Sequence, residues 1–424
     1  MLKVHRALRS RKNRILFRLR HNAWLAALWR RLMWRTTVIA VTGSVGKTTC
    51  RELLYQILAD QAPTYRTRNN ENDAHGLPGV VLGLRPWHRY AVIEVAASGP
   101  GTLGPLARMV RPDIAIVTAV ARTHTRNYAD VDAIAYEKSE LLRQLKPRGT
   151  AVLNGDDPRV TTMHTLTSQS RVEFGRDPDC AVSAQDVSAV WPQRLQLTVK
   201  TGQGLQLVQT QLVGEHWTNS VLAAIAAAQQ CGVKLADIAG SVARVRPFRG
   251  RMEPIRLANG ATAISDQNAS QDVFEAMLAV AVSAQAPRKV LVLGDLIDTD
   301  AKSTKARRRL AGRLVAPIFD FAIFYGQSAH RAQKAAVDAG MPPDSVLCAE
   351  TLAEADVMLK AELRASDLLF VKGRNLQHLQ RLIFMQVGPI ECSKETCRIR
   401  SDCEICGELQ PKFDLTTALA PPVA

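Results

Sequence analysis

The octapeptide Thr42-Gly43-Ser44-Val45-Gly46-Lys47-Thr48-Thr49 lies between an apolar run, Val38-Ile39-Ala40-Val41, and a stretch from Lys47 to Asp60 that places Leu53, Leu54, Ile57 and Leu58 at helical spacing. A strand that enters a glycine turn and leaves as a helix aims backbone N–H groups and the positive end of the helix dipole at one point, which suits an anion. A lysine there reaches terminal phosphates and a hydroxyl holds magnesium. Gly43, Gly46, Lys47, Thr48 and Thr49 fill those parts, with Ser44 and Val45 completing the loop. The spacing is the short form GxxGKT, because Val41 stands where the longer GxxxxGK[ST] loop has its first glycine. An ordinary glycine turn is the alternative, and the flanking strand and helix weigh against it.

The alternation continues. Ala91–Val95, Ile114–Val117 and Ala151–Leu153 read as strands, Thr102–Val110 and Val131–Leu145 as helices, which predicts a mostly parallel sheet covered on both faces. From Arg171 to Val213 the pieces are short and alternating, as in Leu195-Gln196-Leu197-Thr198-Val199, and predict an antiparallel appendage; helix returns over Thr218–Cys231. A junction at Arg246-Pro247-Phe248-Arg249-Gly250 precedes a second series, with strands at Val290–Leu293, Phe321–Phe324 and Leu368–Val371. The expected organisation is a basic amphipathic helix region (1–36), an ATP-binding central domain (37–246), a smaller Rossmann-like α/β domain (247–388), a cysteine tail (389–410) and a disordered end (411–424).

Over residues 37–385 the order of motifs resembles the Mur ligase family, whose phosphate loop has this TGSVGKTT form. Asn70-Glu71-Asn72-Asp73 with Gly76-Leu77-Pro78 is similar to the family's asparagine-rich turn, best matched by the member that adds D-alanyl-D-alanine. Asn154-Gly155-Asp156-Asp157 resembles its NxDD turn, Gly214-Glu215-His216 with Asn219, Ala223 and Ala224 its GxHNxxNxxAA, and Gly294-Asp295 and Val371-Lys372-Gly373 its GDM and VKG turns. The resemblance implies that Glu94 ends its strand as a magnesium ligand, that His124 is the second metal-site residue, that Lys138 is carried as a carbamate, and that Arg251 touches the terminal phosphate. Asn219 and Asp266 join Arg251 and the loop as ATP contacts on the same ground. Each has a plainer reading: a solvated acid, a loop histidine, a lysine paired with Glu140 on a helix face, a basic linker arginine.

The implied chemistry explains these residue types. A carboxylate is a poor electrophile, so the γ-phosphoryl group of ATP is moved onto it and the acyl phosphate is then attacked by an amine; the protein positions and neutralises charge. Thr48 and Glu94 would hold one magnesium ion, and His124 with a carbamylated Lys138 a second, the carbamate replacing a cation by an anion. Lys47 and Arg251 would neutralise the transferring group, so Lys47, His124, Lys138 and Arg251 are the catalytic expectation.

Three features depart from the family. The UDP-sugar domain expected before the loop has no counterpart, so a partner protein that holds the acid substrate is one expectation. The DSYNANP stretch reads Ser265-Asp266-Gln267-Asn268-Ala269-Ser270-Gln271, and His216-Trp217 stands in place of His-Asn. The cysteine tail is an addition outside the family's plan: Cys392, Cys397, Cys403 and Cys406 crowd into fifteen residues and offer four thiolates to structural zinc, with an iron–sulfur cluster or unliganded cysteines as alternatives.

Charge is concentrated rather than spread. The net charge is +16, yet eleven of the 55 Lys and Arg lie in residues 1–36, where no acid occurs before Glu52. Trp24, Leu25, Leu28, Trp29, Leu32 and Trp34 interleave with those cations, and the run without Lys or Arg from His21 to Trp29 is far shorter than the roughly 20 residues a bilayer crossing needs. The expectation is a cytoplasmic enzyme whose head either caps the first domain or meets anionic lipid at the inner membrane face, nucleic acid being the weakest reading. Two further functions remain open beside a cell-wall ligase: the same chemistry in polyglutamate-like or specialised peptide synthesis, and a non-catalytic nucleotide-binding scaffold at the membrane surface. Retention of Lys47, Thr48, Glu94, His124 and Lys138 speaks against the scaffold.

Overall fold

The structure, a computed structural model, describes residues 23–413 except 69–70, 123–126, 298, 300, 302, 396, 398, 400–402 and 404–405. His124, Asn70, residues 1–22 and the expected disordered end beyond 413 therefore lie outside the described residues. The chain forms two units: residues 1–187, 196–209 and 217–245 make the first, and 188–195, 210–216 and 246–424 the second.

Unit one opens with helix α1 over residues 23–32 and then builds one nine-stranded sheet. Its centre is β1 (Thr37–Thr42), flanked in parallel by β3 (Tyr90–Glu94) and β4 (Ile114–Val117), with β2 (Thr64–Arg66) outside β3 and β5 (Thr150–Asn154) outside β4. Residues of β3 and β4 are buried throughout, which is why these strands read as unbroken apolar runs rather than alternating ones. The chain runs from β1 outward to β2 and β3, then crosses to β4 on the other side. That reversal creates a crevice at the carboxyl ends of β1, β3 and β4, the place where open α/β sheets bind ligands. Helices α2 (Lys47–Ala59), α4 (Leu103–Val110), α5 (Val131–Ser139), α7 (Thr218–Gln230) and α8 (Leu235–Ala243) belong to the same unit.

The segment from Arg171 to Val213 corrects the sequence reading. It is an extension of the main sheet, and β6 (Ser170–Gly175) pairs in parallel with β5 and with β7 (Val182–Ser188). β8 (Gln196–Thr201) and β9 (Gly204–Gln209) form the expected antiparallel hairpin. Half-exposed alternation marks sheet edge, and it does not by itself fix strand direction.

Unit two holds a six-stranded sheet in the order β10-β11-β15-β12-β13-β14, formed by Arg251–Arg256, Thr262–Asp266, Asp367–Lys372, Arg288–Leu293, Phe321–Tyr325 and Val346–Ala349. All its pairings are parallel except β10 with β11. The fold is thus mixed α/β with two mostly parallel sheets, as the alternation implied. Among the described residues no helix is long and apolar enough to cross a membrane.

Candidate active site

The phosphate loop is packed so closely that a side chain is excluded at both of its glycines. Gly43 has φ +149°, and a Cβ there would stand 2.0 Å from Thr118 Oγ1; one on Gly46, at φ +82°, would stand 2.7 Å from Ser220 Oγ. The loop is moored to the exit of β4, where Ser44 N–H donates to Ala119 O at 2.7 Å and Thr118 Oγ1 donates to Val45 O at 2.6 Å. Gly46 then caps α2, so Lys47, Thr48 and Thr49 form its first turn. Lys47 Nζ donates to Gly43 O at 2.7 Å and Ser44 O at 3.0 Å, folded over the loop that it would share with a phosphate.

Glu94, the last residue of β3, is 2% exposed and stands beside that first turn. Its carboxylate accepts from Thr48 Oγ1 at 3.1 Å, Arg51 Nη1 at 2.9 Å and Asn72 Nδ2 at 2.8 Å. A hydroxyl and a carboxylate at the mouth of a phosphate loop are the hard oxygen donors that magnesium prefers, and the residues fit that ion with ATP. Arg51 was not anticipated. It is 3% exposed and balances Glu94 from one helical turn beyond Thr48, a position that looks in sequence like one more helix cation.

Lys138 sits in the last turn of α5, buried, with no hydrogen-bond acceptor for its amine among the described residues. Burial first, and then the charge of Lys47, bring its pKa from the ordinary 10.5 down to about 7, against a pull upward from Glu137. Glu137 is occupied elsewhere. Its carboxylate accepts from the N–H groups of Gly101 at 2.6 Å and Leu103 at 2.7 Å, closing the first turn of α4. Sequence reading passed over Glu137 although it adjoins Lys138, because its partners are backbone groups more than thirty positions away.

The Asn154-Gly155-Asp156-Asp157 turn supports the same crevice. Asn154 Nδ2 donates to Thr118 O at 2.7 Å and Asp157 Oδ2 accepts from Val120 N at 2.7 Å, so the turn braces the segment after β4 that leads to His124. Asn219, in the first turn of α7, donates through Nδ2 to Asp156 Oδ2 at 3.0 Å, while its Oδ1 is buried with no donor among the described residues. The loop, Glu94, Lys138 and Asn219 all belong to unit one.

Arg251 and Asp266 belong to unit two. Arg251 begins β10 rather than ending a linker. Asp266, 2% exposed, ends β11 and receives Lys372 Nζ at 2.5 Å from the end of β15, with Asn268 N at 3.2 Å on its other oxygen. Beside this pair the His216 imidazole is held near pKa 4, mainly by burial and partly by Lys372, with Asp266 opposing. The stretch read as one motif, from Gly214 to Ala224, is therefore divided: Gly214 and His216 fall in unit two, Asn219 in unit one.

At the tail, Cys392, Cys397, Cys403 and Cys406 all line one cavity of about 10 Å³ together with His378 and Arg381. Cys403 Sγ lies 3.4 Å from His378 Nδ1, and Arg381 Nη1 donates to Cys392 Sγ at 3.4 Å. Among the described residues no group of three or more His, Cys, Asp or Glu is arranged to hold a metal ion, so the expected tetrathiolate site is not shown as formed.

Known proteins bear on this geometry. Residues 41–228 match the Mur ligase middle domain and residues 250–375 the Mur ligase, glutamate ligase domain. The chain is 29% identical over 362 residues to the UDP-N-acetylmuramoyl-tripeptide–D-alanyl-D-alanine ligase of Mycobacterium tuberculosis, covering 80% of this chain and 70% of that one. Against a crystal structure of MurF from Acinetobacter baumannii the TM-score is 0.79 at 28% identity, covering 86% of this chain and 80% of the other. The folylpolyglutamate synthase of Mycobacterium tuberculosis in complex with ADP shares the fold, with a TM-score of 0.65 at 18% identity over 85% and 92% of the two chains. With both matched domains, the phosphate loop and the sheet-end crevice in place, the chain belongs to the Mur ligase family of ATP-dependent, ADP-forming ligases that join an acid to an amine.

Proposed function

We propose that this ligase acts on a nucleotide-linked or similar peptide-like acid of cell-wall synthesis and adds a dipeptide-like amine, the reaction named for its D-alanyl-D-alanine-adding relatives. The observation that carries the reading is the buried amine of Lys138, which has no acceptor among the described residues and whose pKa is drawn down to about 7, first by burial and then by Lys47. Near neutral pH much of it is the free base. Its nitrogen can add to the carbon of CO2 and lose a proton, which replaces a buried cation by a carbamate anion.

In this mechanism the loop N–H groups and Lys47 bind the ATP phosphates, and Asn219 offers its unpaired Oδ1 to the nucleotide. Thr48 and Glu94 would hold magnesium, which would supply neutralisation of the phosphate charge. The acid's carboxylate oxygen attacks the γ-phosphorus and ADP leaves; the amine nitrogen then attacks the acyl carbon, phosphate leaves, and the nitrogen gives up its proton to solvent or to the departing phosphate. Arg51 releases or shares the Glu94 carboxylate, while the carbamylated Lys138 would orient the transferring group, with His124 in the same role, and Arg251 a contact of the terminal phosphate, on the strength of the motif alone. The Asp266–Lys372 pair ties the ends of β11 and β15 in unit two, and Asp266 keeps its role as an ATP contact on the strength of the motif.

A second reading, ligation of glutamate-like amines outside the cell wall, draws on the shared fold with folylpolyglutamate synthase. Phosphate release with ATP, magnesium and panels of acids and amines separates the two. Amine-dependent ADP formation with muramyl peptides supports the first, with folate-like or glutamyl acids the second, and no acid eliciting turnover above that of Lys47→Ala refutes both. The requirement for ATP assigns the work to the cytoplasm.

For the tail we propose a structural zinc ion on Cys392, Cys397, Cys403 and Cys406, supported by their convergence on a cavity the size of one water-sized body. Anaerobically purified protein should contain about one equivalent of zinc. Less than about half an equivalent of any metal refutes it.

A further inference from the structure

Helix α1 is fixed to unit one in an orientation that turns apolar side chains outward. Its inner face packs Ala26, Met33 and Trp29 on the core, and Trp29 Nε1 donates to Leu84 O at 3.0 Å. Arg30, 2% exposed, clamps it from below through Val110 O at 2.8 Å and Asp113 Oδ2 at 3.1 Å. What remains outside is a ridge in which Trp24 is 65% and Trp34 71% exposed, with Leu25, Leu28 and Leu32 also open to solvent. Large apolar groups gathered on one outer face are costly in water and mark a contact surface.

Directly against this ridge lies a pocket of about 370 Å³ whose wall includes Trp34 and six cations: Arg30, Arg31, Arg108, Arg111, Arg143 and Lys146. No acid lines it. Asp113 serves Arg30 and Lys146, and Glu140 lies 3.2 Å from Arg143. Arg31, Arg108 and Arg111 have no acidic partner among the described residues. The ligase reading uses none of these residues.

We propose that the ridge and the pocket together are a docking surface for an anionic phospholipid membrane, the pocket receiving a lipid phosphate while Trp24, Trp34 and the leucines enter the interface. Trp rings favour that depth, apolar side chains gain from the acyl boundary, and surface cations gain from anionic headgroups. A nucleic acid would satisfy the arginines and leave the leucines in water, and so would a soluble phosphate ester. The inference is independent of which acid and amine the enzyme joins.

The full chain is sedimented with vesicles of phosphatidylcholine alone and of phosphatidylcholine mixed with phosphatidylglycerol. Binding is expected only to the mixed vesicles and weakens as salt rises. The triple variant Arg31→Gln, Arg108→Gln, Arg111→Gln should bind about a hundredfold more weakly. Trp24→Ser, Leu28→Ser, Trp34→Ser should lose about tenfold or more. Melting temperature and ADP formation in solution are expected to stay at the parent's values, which separates this proposal from the ligase reading. If the arginine variant sediments like its parent, the basic residues 1–22 alone attract the membrane and the pocket is overturned as a lipid site. Equal competition by glycerol phosphate or by short duplex DNA overturns the proposal too.

Discussion

Two regions of this molecule bury a lysine at the end of a regular element, and they do opposite things with it. Lys372 ends β15 in register with Asp266 at the end of β11, and the pair closes at 2.5 Å with both side chains essentially inaccessible. Lys138 ends α5 with no acceptor among the described residues, while its sequence neighbour Glu137 spends its carboxylate on the α4 backbone. Burial lowers both pKa values, but beside Lys372 the largest opposing influence is an acid in contact, whereas beside Lys138 the next influence after burial is another cation. A buried amine matched by a carboxylate is a structural tie. One with no acceptor among the described residues, in the field of the phosphate-loop lysine, is the amine we propose to carry the carbamate.

The sharpest way to break this contrast is at Lys372. Removing one partner of a buried ion pair strands the other charge, so Lys372→Met should destabilise unit two by about 3–5 kcal/mol. Adding Asp266→Leu should restore most of that loss, because two apolar side chains then replace two charges. Urea unfolding of the single and double variants checks it. A single variant as stable as the parent would mean that the pair ties nothing.

At Lys138 the same type of change should leave stability intact and remove activity. Lys138→Ala relieves a buried amine that has no acceptor among the described residues, so its urea midpoint should equal or exceed the parent's, while amine-dependent ADP formation falls by about a hundredfold to a thousandfold. A short carboxylic acid added to the solution should recover part of the rate by occupying the carbamate's place. Absence of rescue in a folded variant would show that the amine itself, rather than an anion built on it, is what the site needs.

What the sequence could disclose follows the same division. The phosphate loop, Glu94 and the parallel core strands are local patterns: glycines at a strand–helix turn, an acid ending an apolar run. Lys138 is legible only as a motif position, since nothing adjacent in sequence says that it is buried or that Glu137 faces away. Arg51 opposite Glu94, Thr118 against Gly43 and Asp266 under Lys372 join positions 43 to 106 residues apart, and spacing along one chain carries no record of such contacts. The Gly214–Ala224 stretch reads as a single motif, yet its two ends belong to different units. The strand direction after Arg171 was misread for a related reason: alternation reports which face is wet, and direction depends on the path of the connection.

The smallest expected effect tests the cause of the contrast itself. Lys47 is the cation that depresses Lys138 after burial, so Lys47→Gln should raise the Lys138 pKa from about 7 by roughly half to one unit. Because the folded value lies below the 10.5 of an ordinary lysine, the folded state carries its full burial penalty below pH 7. As pH rises from there towards 10.5 only the unfolded chain still holds the proton, and stability climbs. Carbamylation needs the free base and should follow the same onset. The measurement is the carbamate carbon signal in protein equilibrated with 13C-bicarbonate across a pH series, which is independent of catalysis and so survives the loss of Lys47. A midpoint moved upward in Lys47→Gln assigns the tuning to the phosphate-loop lysine. An unmoved midpoint assigns it to burial alone, and the loop and the amine would then be neighbours without electrostatic coupling.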